Sequence, residues 1–159
     1  MPIVHVRIDD RLIHGQVVNG WLSPLGITQV LVVSDRVSKE PVHKTLMEIA
    51  ASDAVSVRTL SVSQSIAWFK QNQSVQDAVM VLAPGPREIL QLLEGGVRFP
   101  VLSLGGLHSP NPKRTLTPSI LLTDSDCADL KMIAGMGVRL VIQALPDDPP
   151  RSVPESALN

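Results

Sequence analysis

Short apolar runs alternate with segments of helical period along nearly the whole chain, and this alternation restricts the fold more than any other feature. Residues 3–8, 29–34, 55–60, 77–82, 100–104, 119–122 and 138–144 read as strands. The second and fourth are almost unbroken apolar runs, as expected of central strands covered on both faces. Between them, residues 15–25 place Val17, Val18, Trp21, Leu22 and Leu25 on one helical stripe. Residues 41–51 do the same with Val42, Leu46, Ile49 and Ala50, and Pro41 sits in the first turn, where its missing N–H is harmless. Residues 62–71 follow Ser61, residues 87–94 end at Gly95-Gly96, and residues 124–134 follow a cap-like Thr123.

Repeated strand–helix–strand units imply right-handed crossovers and a mainly parallel sheet. The expected fold is therefore α/β: a three-layer open twisted sheet of about seven strands with helices on both faces. It should be mostly parallel, with one antiparallel strand entered from the proline-containing loop 108–118. Residues 1–146 are expected to form one domain. From Pro146 the chain holds four prolines among charged and small polar residues, so residues 147–159 read as a flexible tail.

Composition removes several function classes. The 159 residues are enough for one domain with its own core. A net charge of −1 gives no basic footprint for nucleic acid. Cys127 has no partner for a disulfide and no CxxC motif for a structural zinc site, and no metal-ligand cluster is legible; no metal and no cofactor is expected. The run Met1-Pro2-Ile3-Val4-His5-Val6 lacks a basic region, which argues against a signal peptide. No apolar stretch reaches the ~18 residues that span a bilayer. Aromatic residues are 3% of the chain with no tyrosine, so a sugar-stacking platform is not expected. No exposed apolar stripe that would mark an interface is legible.

In an open parallel sheet, ligands meet loops at the carboxyl ends of the strands. Those loops are residues 9–14, 35–40, 83–86 and 105–118. The densest polar cluster lies in the first: Arg7-Ile8-Asp9-Asp10-Arg11-Leu12-Ile13-His14-Gly15-Gln16. A helical pattern begins after His14, so an anion there would meet unpaired N–H groups and the positive end of the helix. Arg7 and Arg11 carry fork-shaped donors suited to phosphate oxygens. A neutral imidazole offers a lone pair to phosphorus. By themselves these residues leave another reading open, in which His14 only bonds backbone and the arginines pair with Asp9 and Asp10.

The run from Arg7 to Val17 closely resembles the N-terminal motif of IIB subunits of the mannose/sorbose family (also fructose and N-acetylgalactosamine) of the bacterial sugar phosphotransferase system. The resemblance extends to Trp21, Val32-Val33-Ser34-Asp35, Leu46-Met47, Leu104-Gly105-Gly106-Leu107-His108 and Gly137-Val138 with Gln143, and covers roughly residues 1–146. An eleven-residue match is far more specific than a lone glycine motif. The chain departs from the family at Ser34, where asparagine is common. It departs again at residues 109–114, where prolines replace a longer basic segment. Both departures bear on which permease is served.

The resemblance implies that phospho-histidine on a IIA subunit donates to His14, which passes the phosphoryl group to a sugar held by a IIC/IID membrane permease. It implies a phosphotransferase acting in the cytoplasm, peripherally associated with that permease. The donor is expected on a separate chain, and self-association into a homo-oligomer is left open. Arg11 and then Arg7 are expected to clamp the phosphoryl oxygens, with N–H groups of Gly15 and Gln16 completing the site. Asp10 is expected to orient His14 or Arg11, because a carboxylate repels phosphate.

Other residues carry weaker expectations. His5 reads as packed and His43 as solvated; Trp21, Trp68 and Phe69 read as packing. His108 edges the site loop with its role open. Gly105 and Gly106 either permit a tight turn or present N–H groups to phosphate. Arg87 either contacts phosphate or sugar, or is a solvated helix start. Two alternatives stand beside the transport reading. One is a regulatory carrier using the same histidine, and the other is a nucleotide- or phosphate-binding module without covalent chemistry. Which sugar is transported is not legible.

Overall fold

The computed structural model describes residues 3–159; Met1 and Pro2 lie outside the described residues. The chain opens with β1 (Ile3–Ile8), whose loop leads into α1 (Gly15–Val17) and a π-helical continuation over Val18–Leu22. β2 (Gln29–Val33) is followed by α2 (Asp35–Ser38) and α3 (Pro41–Ala50), then β3 (Ser56–Leu60) and α4 (Val62–Gln71). β4 (Val79–Ala83), α5 (Pro86–Glu94) and β5 (Val101–Leu104) follow. Next come β6 (Leu107–His108), β7 (Arg114–Thr117), β8 (Ile120–Leu122), α6 (Asp124–Gly135) and β9 (Arg139–Ile142). The chain closes with β10 (Arg151–Ser152) and a 3-10 turn over Glu155–Leu158.

Seven strands form the main sheet in the order β10-β9-β5-β1-β4-β2-β3, all parallel except β10 on β9. β2 and β4 are buried at every position, which is why they lack polar alternation. One core, around Ile8, Leu31, Val81, Leu90 and Leu130, lies under α4, α5 and α6. The other, around Val32, Leu82, Val17, Trp21 and Val37, lies under α1, the π-helical turn and α2–α3. Helices thus cover both faces. Local chemistry fixes their ends: Ser61 with Gln64, and Thr123 with Asp126, form capping boxes on α4 and α6.

The connection leaving β1 travels toward β2, and the connection leaving the neighbouring β4 travels the opposite way, toward β5. The two run over opposite faces of the sheet, so the switch point lies between β1 and β4 at their carboxyl ends. That is where the loop carrying His14 emerges.

Three expectations are corrected. β8 is not in the main sheet but in a small second sheet, parallel to β6 and antiparallel to β7. Pro110 and Pro112 preclude a helix there, and the chain folds into a hairpin instead. The seventh main strand is β10, inside the segment read as a flexible tail. Val153 N–H bonds to the Leu140 carbonyl (3.0 Å) and Leu158 is buried in the core, so apolar anchors order a proline-bearing edge. Finally, the apolar stripe of α3 faces outward: Val42, Leu46 and Ile49 are 74%, 53% and 72% exposed, and only Met47 is buried. Contrary to expectation, the chain therefore does present an exposed apolar helical stripe.

Candidate active site

β1 delivers a charged residue into the interior. Arg7 is buried and lies on the side of the sheet covered by the π-helical turn, where its guanidinium carbon sits 5.0 Å from the centre of the Trp21 ring. His5, two residues earlier and so on the same side, stacks on that ring at 4.1 Å. Trp21 is fixed by its indole N–H, which donates to the Ala144 carbonyl (3.0 Å). Burial, helped by the Arg7 charge, holds the His5 pKa down at about 4, so this imidazole is neutral at physiological pH. Arg7 donates through Nη1 to Ser103 Oγ (3.2 Å) and to the Gln143 carbonyl (3.0 Å), while its Nε is buried without a hydrogen-bond partner. The sheet thus holds Arg7 from the neighbouring β5 and from the segment after β9.

Past Ile8 the chain turns sharply. Asp9 N–H donates to the Ala83 carbonyl (2.9 Å), Asp10 N–H to the Gly106 carbonyl (2.9 Å) and Leu12 N–H to the Asp9 carbonyl (2.9 Å). Leu12 has a φ of 57°, a left-handed conformation costing about 1–2 kcal/mol in a residue with a side chain. Burial of the Leu12 and Ile13 side chains in the core offsets that cost. The turn sets His14, with extended backbone, immediately before Gly15 at the start of α1. His14 Nδ1 lies 2.8 Å from the Leu12 carbonyl oxygen. A carbonyl only accepts, so Nδ1 carries the proton of the neutral ring and the lone pair sits on Nε2. Nε2 is buried without a hydrogen-bond partner, 4.0 Å from Asp9 Oδ2.

The fully buried Asp9 carboxylate is the hub of the cluster. Its Oδ1 accepts from Arg11 N–H (3.1 Å) and Arg11 Nε (3.2 Å), and its Oδ2 accepts from Arg11 Nη2 (3.3 Å). Arg7 Nε stands 3.9 Å from the same carboxylate. One carboxylate therefore serves two arginines and faces one imidazole. The Arg11 side chain is 48% exposed and reaches solvent from this anchor. Arg7, Arg11 and Gln16 line a cleft of about 220 Å³, opposite Thr117, Ser119 and Gln143. Gly15 and Gln16 are exposed at the helix start, where the first N–H groups have no partner within the helix.

The expected site residues converge here, with one reassignment. Asp10 does not face His14 or Arg11. Its carboxylate accepts from His108 N–H (2.6 Å) and lies 3.1 Å from His108 Nδ1, joining the site loop to β6. Asp9 takes the orienting position instead. A carboxylate two residues before Arg11 can close a side-chain turn onto that residue's N–H, and this was the available signal. Gly105 and Gly106 are needed for close approach: a Cβ on Gly105 would fall 2.7 Å from Arg7 Nε, and one on Gly106 would fall 3.1 Å from Asp9 Oδ1. The Gly105 N–H is spent on the Ile8 carbonyl (2.8 Å). Arg87 lies outside the cluster, paired with Asp129 at 3.1 Å. His43 contacts Glu40 (3.0 Å) on α3. Among the described residues, no group of His, Cys, Asp and Glu is placed to hold a metal ion, and no helix is long and apolar enough to cross a membrane.

Known proteins resemble this chain along most of its length. Residues 3–156 match the model of the PTS system sorbose subfamily IIB component. The fructose-specific EIIB component of Bacillus subtilis is 32% identical over 148 residues, spanning 93% of this chain and 91% of that protein. The mannose-specific EIIAB component of Escherichia coli K12 is 30% identical over 149 residues, 94% of this chain and 46% of that longer protein. The crystal structure of the IIBSor domain of the Klebsiella pneumoniae sorbose permease superposes with a TM-score of 0.87 at 30% identity, covering 96% of this chain and 93% of that one. The chain belongs to the sorbose-subfamily IIB components of the sugar phosphotransferase system, a family of phosphotransferases whose partners in general are IIA and IIC/IID proteins.

Proposed function

We propose that His14 accepts a phosphoryl group from a phosphorylated IIA subunit and passes it to a sugar held by a IIC/IID permease, with the chain working in the cytoplasm against that permease. The observation that carries this reading is the charge excess around His14. Two arginines and an imidazole surround a single buried carboxylate at the switch point of the sheet, and both arginines open onto a cleft on the β5 side that His14 itself does not line. Such a cluster has a standing affinity for one more anion.

Both transfers are in-line displacements at phosphorus, so the protein contributes positioning and charge stabilisation. A ring nitrogen of His14 supplies the lone pair that forms the new N–P bond. The donor's N–P bond breaks, and the other His14 nitrogen keeps the ring proton. In the resting position Nδ1 is bound to Leu12 and Nε2 is buried, so the ring turns outward to meet the donor. Arg11 is the mobile clamp on the phosphoryl oxygens, Arg7 supplies fixed positive charge beneath, and N–H groups of Gly15 and Gln16 complete the anion site. A histidine N–P bond retains the transfer potential that an ester on serine would lose, so the group can still be passed to a sugar hydroxyl.

The test uses permease membranes lacking their own IIB, together with upstream phosphocarriers and candidate sugars. Wild-type chain should restore formation of sugar phosphate, and His14→Ala should not. A chain that becomes labelled while no sugar is phosphorylated would favour a regulatory carrier.

A further inference from the structure

Arg11, the residue best placed to clamp a phosphoryl group, is already engaged. Three of its N–H groups (backbone N, Nε and Nη2) bond to the Asp9 carboxylate at 3.1–3.3 Å. That carboxylate is 0% exposed, so no water competes for it, and it lies 4.0 Å from a ring nitrogen of His14. A phosphoryl group that is to be clamped by Arg11 must therefore contend with a buried anion that already holds the same arginine. Like charges this close disfavour one another, and a single guanidinium cannot give its Nε–Nη2 edge to both. Asp9 is also kept in place independently of Arg11. Its N–H is bonded to β4 and its carbonyl closes the Leu12 turn, which fix its backbone, and its Oδ1 fits closely against Gly106.

We propose that Asp9 is a positioning residue that competes with the phosphoryl group for Arg11. It holds the guanidinium ready in the resting protein, yields it as the N–P bond on His14 forms, and reclaims it as that bond breaks. This rests on the reading of His14 as the phosphoryl acceptor. Its consequence is a carrier whose phosphorylated state is kept from being too stable. Without the competing carboxylate, Arg11 would bind the phosphoryl group continuously, and transfer onward would lose driving force. Asp9 itself forms no bond to phosphorus and moves no proton.

The experiment measures the equilibrium of phosphoryl exchange between phospho-IIA and this chain. Wild type must become labelled; failure there removes the carrier reading itself, before Asp9 is at issue. Given labelling, Asp9→Asn should move the equilibrium at least tenfold toward the phosphorylated chain, and the same substitution in an Arg11→Ala background should move it less than threefold. No shift, a shift toward phospho-IIA, or an equal shift in both backgrounds overturns the proposal. Because Asp9→Asn deprives buried Arg7 of its counter-charge and can fail to fold, a second measurement uses wild type alone. The Arg11 Nε–H resonance should change markedly on phosphorylation, and an unchanged resonance overturns the competition.

Discussion

Two arginine–aspartate clusters stand at the carboxyl edge of the sheet, and they are built oppositely. In the first, Arg7, Arg11 and His14 gather around one carboxylate, Asp9. In the second, at the start of α5, the 59% exposed Arg87 is the cation paired with Asp129, and Glu88 lies beside them. Burial holds the carboxyls of both Asp129 and Glu88 above their usual range. The first cluster has surplus positive charge and a cleft; the second has surplus negative charge and joins two helices. An arginine beside an aspartate is therefore not itself a sign of chemistry. The sign is a charge balance that a transferred anion would complete.

The sharpest way to break this comparison is to remove one arginine from each cluster. Arg11→Ala should lower the rate of phosphotransfer from phospho-IIA by about 100-fold, as expected for loss of one transition-state donor. Arg87→Ala should leave the rate within about threefold. Equal losses in a stopped-flow or quench assay would erase the distinction between the clusters.

The next effect concerns the stack beneath the first cluster. The folded-state pKa of His5 lies at about 4, below its unfolded value of 6.5. The unfolded chain thus binds more protons between these values, and stability falls as pH drops from 6.5 toward 4. After allowance for partial exposure the loss is roughly 2 kcal/mol. His5→Phe keeps a ring on Trp21 and should flatten this part of the pH profile in denaturant titrations. Asp129 acts in the opposite sense: its raised pKa makes its burial less unfavourable as pH falls.

A smaller effect tests close approach. Gly105→Ala places a methyl group against the Arg7 guanidinium and should slow phosphotransfer about tenfold while the fold is retained. Gly85→Ala, whose Cβ would stand 3.5 Å from Glu88 Oε2, should change neither the rate nor the melting temperature. Arg87→Ala should also lower stability, by about 1 kcal/mol, because the buried Asp129 carboxyl loses its half-exposed partner cation.

Much of this was legible from residues alone where the controlling interactions are local. The unbroken apolar runs of β2 and β4 and the caps at Ser61 and Thr123 lie within a few residues of what they determine. β10 was not legible, since two residues cannot announce a strand and its order comes from Val153 and Leu158 packing on the distant core. Periodicity showed that Val42, Leu46 and Ile49 share a face of α3, but could not tell whether that face met the sheet or solvent. At the site, the motif marked His14 and Arg11. The division of labour between two adjacent aspartates depended on the left-handed turn at Leu12, and on a contact to His108 from 98 residues away.

The most direct test of His14 as phosphoryl carrier is intact-mass analysis after incubation with phospho-IIA, for wild type and His14→Ala. Wild type should gain the mass of one phosphoryl group, lose it on brief acid treatment and keep it in mild base, as an N–P bond requires. His14→Ala should gain nothing. A phosphoryl group that survives acid, or that appears equally on the variant, would contradict the assignment.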